Sequence, residues 1–150
     1  MITFKQSIVG ILGNIATAFS FLPFFPNFIH RARGVKFENF LKVHFSSNVI
    51  LDNRYPEKIK INKGVVFATG SLITAHSFIP KNNKVVGIKE IVKSVFIGRN
   101  VFIGANSIIL PGTHLAEGCY VAAGAVVSGK FKKDCLIAGN PAIVKRNIKS

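Results

Sequence analysis

From Ile97 to Val127 a branched aliphatic residue returns at every sixth position: Ile97, Ile103, Ile109, Leu115, Val121 and Val127. The residues directly after them are mostly small, as at Gly98, Gly104, Ala116 and Ala122. Four places after each aliphatic stand Val101, Ser107, Thr113, Cys119, Ala125 and Phe131, mostly small or β-branched. An amphipathic helix repeats every 3.6 residues and a half-buried strand every two, so neither yields a strict period of six with two constrained classes. A short strand followed by a tight corner, repeated, does yield it. Each aliphatic then points inward, and three sides close a coil of about 18 residues whose equivalent aliphatics stack about 4.8 Å apart. The same phase is present at Ile61, Phe67 and Ile73, with Val65, Ser71 and Ser77 four places on, and more faintly at Phe37, Val43 and Val49.

The pattern lapses twice. Between Ser77 and Ile91 the segment FIPKNNKVVGIKE reads as a polar loop, placed at 78–90, that leaves the coil directly after His76. After Phe131 the phase breaks at KKDC, and LIAGNPAIVKR gives one last strand, a Gly-Asn-Pro turn and a basic tail. The expected organisation is an N-terminal apolar helical segment over 1–34 and an all-β domain over 35–150, a parallel β-helix of about five coils with a protruding loop. A composition of 49% hydrophobic and 17% charged residues excludes a disordered chain. Cys119 and Cys135, with no CxxC pair, exclude a thiolate zinc site, make no disulfide scaffold and fit a reducing, cytoplasmic setting.

The first thirty residues obey another rule. Residues 7–29 carry no charge, and Phe4, Ile8, Ile11, Ile15, Phe19 and Leu22 recur at steps of three and four, one face of a helix that Pro23 and Pro26 would stop. A membrane span needs about 20 clean apolar residues, and the prolines leave roughly 16. FFPNFIHRAR offers no small-residue signal-peptide cleavage site. Beside a short span, the segment reads as a helix lying on a surface, its own protein's, a sister subunit's or a bilayer's, with Lys5, Arg31, Arg33 and Lys36 as flanking cations.

The chain holds 20 Lys and Arg against six Asp and Glu, a net charge of +14. The excess is spread, with nine cations against three acids in residues 1–75 and eleven against three in 76–150. Such a charge favours a polyanionic partner: a phosphorylated cofactor, an anionic membrane or nucleic acid. Nucleic acid fits poorly, because nine of the 14 Phe lie at or before Phe45, mostly in the uncharged run rather than interleaved with cations as a base-stacking platform requires.

The run VFIGRNVFIGANSIILPGTHLAEGCYVAAGAVVSGKFKKDCLIAGNPAIVKR resembles the hexapeptide-repeat acyltransferases over roughly residues 35–146. The stretch ITAHS before a polar loop, followed by the FIG and VFIGAN repeats, resembles their sugar O-acetyltransferase branch. The resemblance implies a left-handed β-helix, acetyl-CoA as acyl donor, a homotrimer with sites in the subunit clefts, and action on a sugar or glycan in bacterial surface polysaccharide synthesis. It implies neither a metal nor nucleic acid.

Moving an acetyl group from a thioester to a sugar hydroxyl needs a base that takes the hydroxyl proton near neutral pH, and histidine suits it. Of the four histidines, His30 in HRAR reads as a surface cation, and His44 and His114 lie within repeats. His76, three places after inward-pointing Ile73, falls at a corner where the loop departs; the resemblance places the catalytic base on it. The oxyanion needs a preoriented donor, for which a backbone N–H serves. The resemblance assigns Ala105 to that role and Ala123 to a second CoA contact, although a repeat also wants small residues at its corners.

For the CoA phosphates the resemblance brings in Arg146 and Ser128. The usual lysine after that hydroxyl is Gly129 here, with Lys130 one place on, and a further basic position falls on Ile143. On the acceptor side the branch's asparagine falls on Asn48, and its carboxylate position falls on Pro56, leaving Asp52 to take that place. Competing readings are N-acetylation of an amino sugar, a zinc hydratase on the same coil, for which His44, His76 and His114 are too scattered, and a non-enzymatic basic binding protein.

Overall fold

The computed structural model describes residues 4–81 and 84–148. Residues 36–139 wind as a left-handed parallel β-helix with three flat faces. The first face stacks the strands Lys36–Phe37, Ile59–Ile61, Val95–Ile97, His114–Leu115 and Lys130–Phe131. The second stacks His44–Phe45, Val66–Phe67, Phe102–Ile103, Tyr120–Val121 and Cys135–Gly139, and Ala142–Asn147 folds back antiparallel on its last strand. The third stacks Ile50–Leu51, Leu72–Ile73, Ile108–Ile109 and Val126–Val127.

The sixfold aliphatics form one ladder per face. Leu51, Ile73, Ile109 and Val127 are in register on the third face, and Phe45, Phe67, Ile103, Val121 and Ile137 on the second. The residues four places on are buried beside them, including Val101, Ser107, Thr113, Cys119 and Ala125. Two buried hydroxyls there are satisfied by the corner backbone, Ser107 Oγ donating to Gly104 O at 2.7 Å and Thr113 Oγ1 to Leu110 O at 2.7 Å. Gly104 has a packing reason as well: a Cβ there would lie 2.5 Å from Ala123 N and 2.6 Å from Ala122 C, so the coil above can close only over hydrogen.

The phase of the first coil departs from expectation. Phe37 is in the ladder opposite Ile61, but Phe45 and Leu51 take the ladder positions assigned to Val43 and Val49, which are buried in the companion class. A 3₁₀ turn over Phe40–Lys42, capped by Asn39 Oδ1 accepting from Leu41 N, adds two residues to that side and moves the register. The loop expected at 78–90 is largely strand: His76–Lys81 and Lys84–Val92 pair as an antiparallel hairpin, with residues 82–83 outside the described residues. His76 therefore begins a strand, opposite Val92.

The N-terminal segment forms two helices, α1 over Phe4–Ala18 and α2 over Phe25–Ala32. α1 ends at Ala18, before either proline expected to stop it, and Pro26 lies in the first turn of α2, where its missing N–H costs nothing, so it starts a helix rather than ending one. α2 closes the N-terminal end of the prism. Asn27 Nδ2 donates to Val43 O at 2.8 Å, and the His30 ring lies 5.1 Å from that of Phe45. His30 is buried, at 1% exposure, and is not a surface cation; burial first, then the charge of Arg33, lowers its pKa to about 3. Arg33, expected at the surface, is buried too.

Candidate functional site

The site is built where the third face hands the chain to the hairpin. Leu51 and Ile73 are partners in one ladder, so Asp52 lies beneath Thr74, and Asp52 N donates to Ile73 O at 2.8 Å. A carboxylate at this corner meets several donors at once. Oδ1 accepts from Arg54 N at 2.8 Å and Tyr55 N at 3.0 Å, an Asx turn that shapes the corner. Oδ2 accepts from Ala75 N at 2.7 Å and lies 2.6 Å from His76 Nδ1.

The Asp52 side chain is closed to solvent while that of His76 retains 21% exposure. Burial by itself would raise the Asp52 carboxyl, but the hydrogen bonds from His76 and from the backbone N–H groups of Tyr55, Ala75 and Arg54 outweigh it and hold the group below the usual carboxylate value. An ionised carboxylate only accepts, so Nδ1 carries the proton and Nε2 is left as the ring's acceptor. The imidazole is confined by two edge-on rings, Tyr55 at 5.7 Å and Phe78 at 5.6 Å between centroids. Glu90 fastens this wall, accepting from Tyr55 Oη at 3.0 Å and pairing with Arg54 at 3.0 Å. Arg54 and Tyr55 also line an open groove of about 730 Å³ alongside the first turns of α1, whose rim includes exposed Phe4 and Ile8 as well as Val9 and Leu12.

Arg33 supports the corner from below. Its guanidinium donates to Leu51 O at 2.6 Å, to Asp52 O, and to Asn53 Oδ1 at 2.7 Å. Burial lowers its pKa to about 10, with Asp52 acting in the opposite sense, and it stays charged at neutral pH.

The sequence-derived candidates fall in different places. Asp52, assigned to the acceptor, has no surface to offer one; it orients His76. Asn48 is exposed and left-handed, with φ 59°, at the corner between the second and third faces. That edge stacks Asn48 below Gly70, Asn106 and Gly124, and places Ala105 and exposed Ala123 one coil apart, Gly124 N donating to Ala105 O at 2.8 Å. Ser128 is exposed on the other edge of the third face, the one His76 leaves; Lys130 lies on the first face and Arg146 on the strand paired to Leu136. One chain therefore brings Asp52 to His76 and Asn48 to the Ala105–Ala123 edge, with the width of the third face between the two groups. Among the described residues no cluster of three or more His, Cys, Asp or Glu side chains could hold a metal ion.

Sequence reasoning missed the Asp52–His76 pair, the Tyr55–Glu90 wall and the Arg33 clamp. The available signal was the ladder itself: a carboxylate directly after Leu51 must lie under the ITAHS corner once Leu51 is placed below Ile73.

The repeat and its register agree with known proteins. The family model described as bacterial transferase hexapeptide (six repeats) matches residues 94–129. No curated protein matches the chain. A hexapeptide-repeat acetyltransferase from Vibrio cholerae superposes with a TM-score of 0.74 at 20% identity, covering 97% of this chain and 92% of that one. A maltose O-acetyltransferase from Clostridium difficile gives 0.72 at 20%, covering 97% and 87%. An N-acyltransferase from Bacillus cereus, in complex with dTDP and 3-hydroxybutyryl-CoA, gives 0.64 at 21%, covering 71% and 60%. The period, the ladders and these likenesses agree on the fold: the chain is a left-handed β-helix built of six-residue repeats, similar to that of the hexapeptide-repeat acetyltransferases.

Proposed function

We propose that this protein is an acetyl-CoA-dependent O-acetyltransferase acting on a sugar hydroxyl in bacterial surface polysaccharide synthesis (capsule, O-antigen or exopolysaccharide), with His76 as general base. The observation that carries the reading is the 2.6 Å contact of a solvent-closed, ionised Asp52 with Nδ1 of a partly exposed His76. The solved relatives of like fold include a maltose O-acetyltransferase and a protein also seen with acetyl-CoA bound.

Acetyl-CoA supplies the acetyl group as a thioester. His76 Nε2 takes the proton of the sugar hydroxyl as its oxygen attacks the carbonyl, and Asp52 balances the imidazolium that results. A backbone N–H at an exposed corner, Ala105 on this reading, donates to the oxygen on which charge develops. His76 then returns the proton to the departing sulfur, leaving an acetyl ester and the free thiol. Ala105 and Ala123 suit the donor's pantetheine arm because the corner is small-sided and partly open, and Ser128, Lys130 and Arg146 are exposed groups that can meet phosphates. Because the His76 edge and the Ala105 edge lie apart, the complete site needs the Ala105 edge of a second copy. A homotrimer, each cleft joining two copies, satisfies this, and a cytoplasmic setting supplies the donor.

The Bacillus cereus likeness favours a second reading, N-acetylation of an amino sugar by the same base. The test is thiol release from acetyl-CoA with hydroxyl and amino sugars offered in parallel. Transfer to hydroxyl acceptors that disappears in His76→Ala supports the first reading; transfer only to amines supports the second. Acetyl-CoA turnover unchanged in His76→Ala overturns both.

A further inference from the structure

The helix α1 is inside out for a surface helix. Gly13 and Ala16 are its buried residues, while Phe4 is 83%, Ile8 45% and Ile11 60% exposed. The stripe whose spacing predicts a core-facing side points away from the prism. It cannot turn inward: a Cβ on Gly13 would lie 1.7 Å from Arg33 Nη1 and 2.1 Å from Asn53 Oδ1, so only the small side fits against the clamp beneath Asp52. The apolar surface continues through the turn into α2, where Phe19, Phe21, Leu22, Phe24 and Phe28 are all exposed. Ring contacts run through it in two groups, Phe19 lying 6.0 Å from Phe21 and 5.8 Å from Phe25, and Phe28 5.0 Å from Phe40. An apolar surface of this extent on a folded protein marks something that covers it.

The charges around it say what. No acid precedes Glu38 in the sequence. Arg31 follows Phe28 at helical spacing on one face of α2 and lies over the Phe40 ring at 4.6 Å. Exposed Lys42 borders the same hollow as Phe24 and Leu41, and exposed Lys5 adjoins Phe4. A second copy meeting this patch through its own would set cations against cations with no acid to pair them, and any other face of a copy comes from a chain with 20 cations and six acids. An anionic lipid surface supplies both what the rings lack and what the cations lack. No helix among the described residues is long and apolar enough to cross a membrane, so the contact lies in the plane of the interface.

We propose that the outward face of α1 and the 19–28 turn form a membrane-docking surface for bilayers bearing anionic headgroups, the apolar rings entering the interface and Lys5, Arg31 and Lys42 meeting the headgroups. This goes beyond the catalytic reading and does not depend on it.

The test is flotation of the full chain with vesicles of phosphatidylcholine alone and of phosphatidylcholine with phosphatidylglycerol, at low and high salt. Wild type is expected to bind the anionic vesicles about tenfold or more better than the neutral ones, with binding weakened by salt. The F21S/F24S variant, altered only at exposed rings, and the charge variant K5E/R31E are each expected to lose about tenfold in binding, with melting temperature and sedimentation mass unchanged. H76A is expected to float as wild type does, which separates this proposal from the catalytic one. Wild type that stays unbound, variants that bind equally well, or variants whose sedimentation mass falls because the patch joins copies would each overturn it.

Discussion

Asp52 Oδ2 and His76 Nδ1 are 2.6 Å apart across 24 residues of sequence, brought together because Leu51 and Ile73 share one ladder. The carboxylate has four further claims on it, and its position is fixed by backbone donors rather than by the histidine. The acid therefore sets the ring, and not the reverse.

Asp52→Asn tests that order. The amide keeps the shape but loses the charge that keeps the proton on Nδ1 and balances the imidazolium. The expected result is a fall in kcat of about 10²-fold or more, little change in KM for either substrate, and a displaced acid limb in the pH–rate profile. A purely structural role for Asp52 would lower the amount of active enzyme and leave the profile where it was.

Stability should depend on His30 in the acid range. Folding lowers its pKa from 6.5 to about 3, so between those values the unfolded chain binds a proton that the folded chain refuses, and stability falls as pH drops through the window. Asp52, held below its ordinary 3.8, adds a contribution that is complete above that value and lost as pH falls through its folded value. Urea midpoints measured from pH 7 to pH 3 should fall steeply for wild type, and His30→Phe, which keeps a ring against Phe45, should flatten the slope.

Gly104→Ala places a methyl within 2.5 Å of the backbone of the next coil. Strand spacing in a stacked coil cannot open locally, so we expect a loss of about 1–3 kcal/mol, read as a drop in Tm of several degrees. Gly124→Ala, whose Cβ would meet nothing within 4 Å but which has φ +69°, isolates the cost of backbone strain for comparison.

Arg33→Lys keeps the charge but not the fork. A single ammonium cannot serve Leu51 O, Asp52 O and Asn53 Oδ1 together, and each buried acceptor left unpaired costs about 1–3 kcal/mol. The variant should melt earlier and also lose kcat, since the orphaned carbonyls belong to the turn that carries Asp52.

Ala123→Phe adds bulk at an exposed corner. The fold should tolerate it with no change in Tm, while KM for acetyl-CoA should rise about tenfold if the pantetheine arm lies along this edge. Unchanged donor kinetics would leave Ala123 small for the sake of the corner alone.

Much of this was legible in the chain. The period of six fixes the prism from Ile59 onward because a coil of equal sides must return the same residue class to the same place, and it picks out His76 as the residue at which the chain leaves the coil. What it missed has physical causes. The 3₁₀ turn at Phe40–Lys42 lengthens one side of the first coil, so counting by sixes put Val43 and Val49 where Phe45 and Leu51 belong and hid the place of Asp52 under Thr74. The direction of α1 was hidden for another reason. Periodicity shows which residues share a helix face, but not which face meets the protein; that was decided by the room around Gly13, already filled by the ends of buried Arg33 and half-buried Asn53. Repetition of short-range geometry determined the architecture in the sequence itself. The pairing of Asp52 with His76 and the outward turn of the apolar helix came only from tertiary contacts, because each depends on which distant atoms already occupy the space.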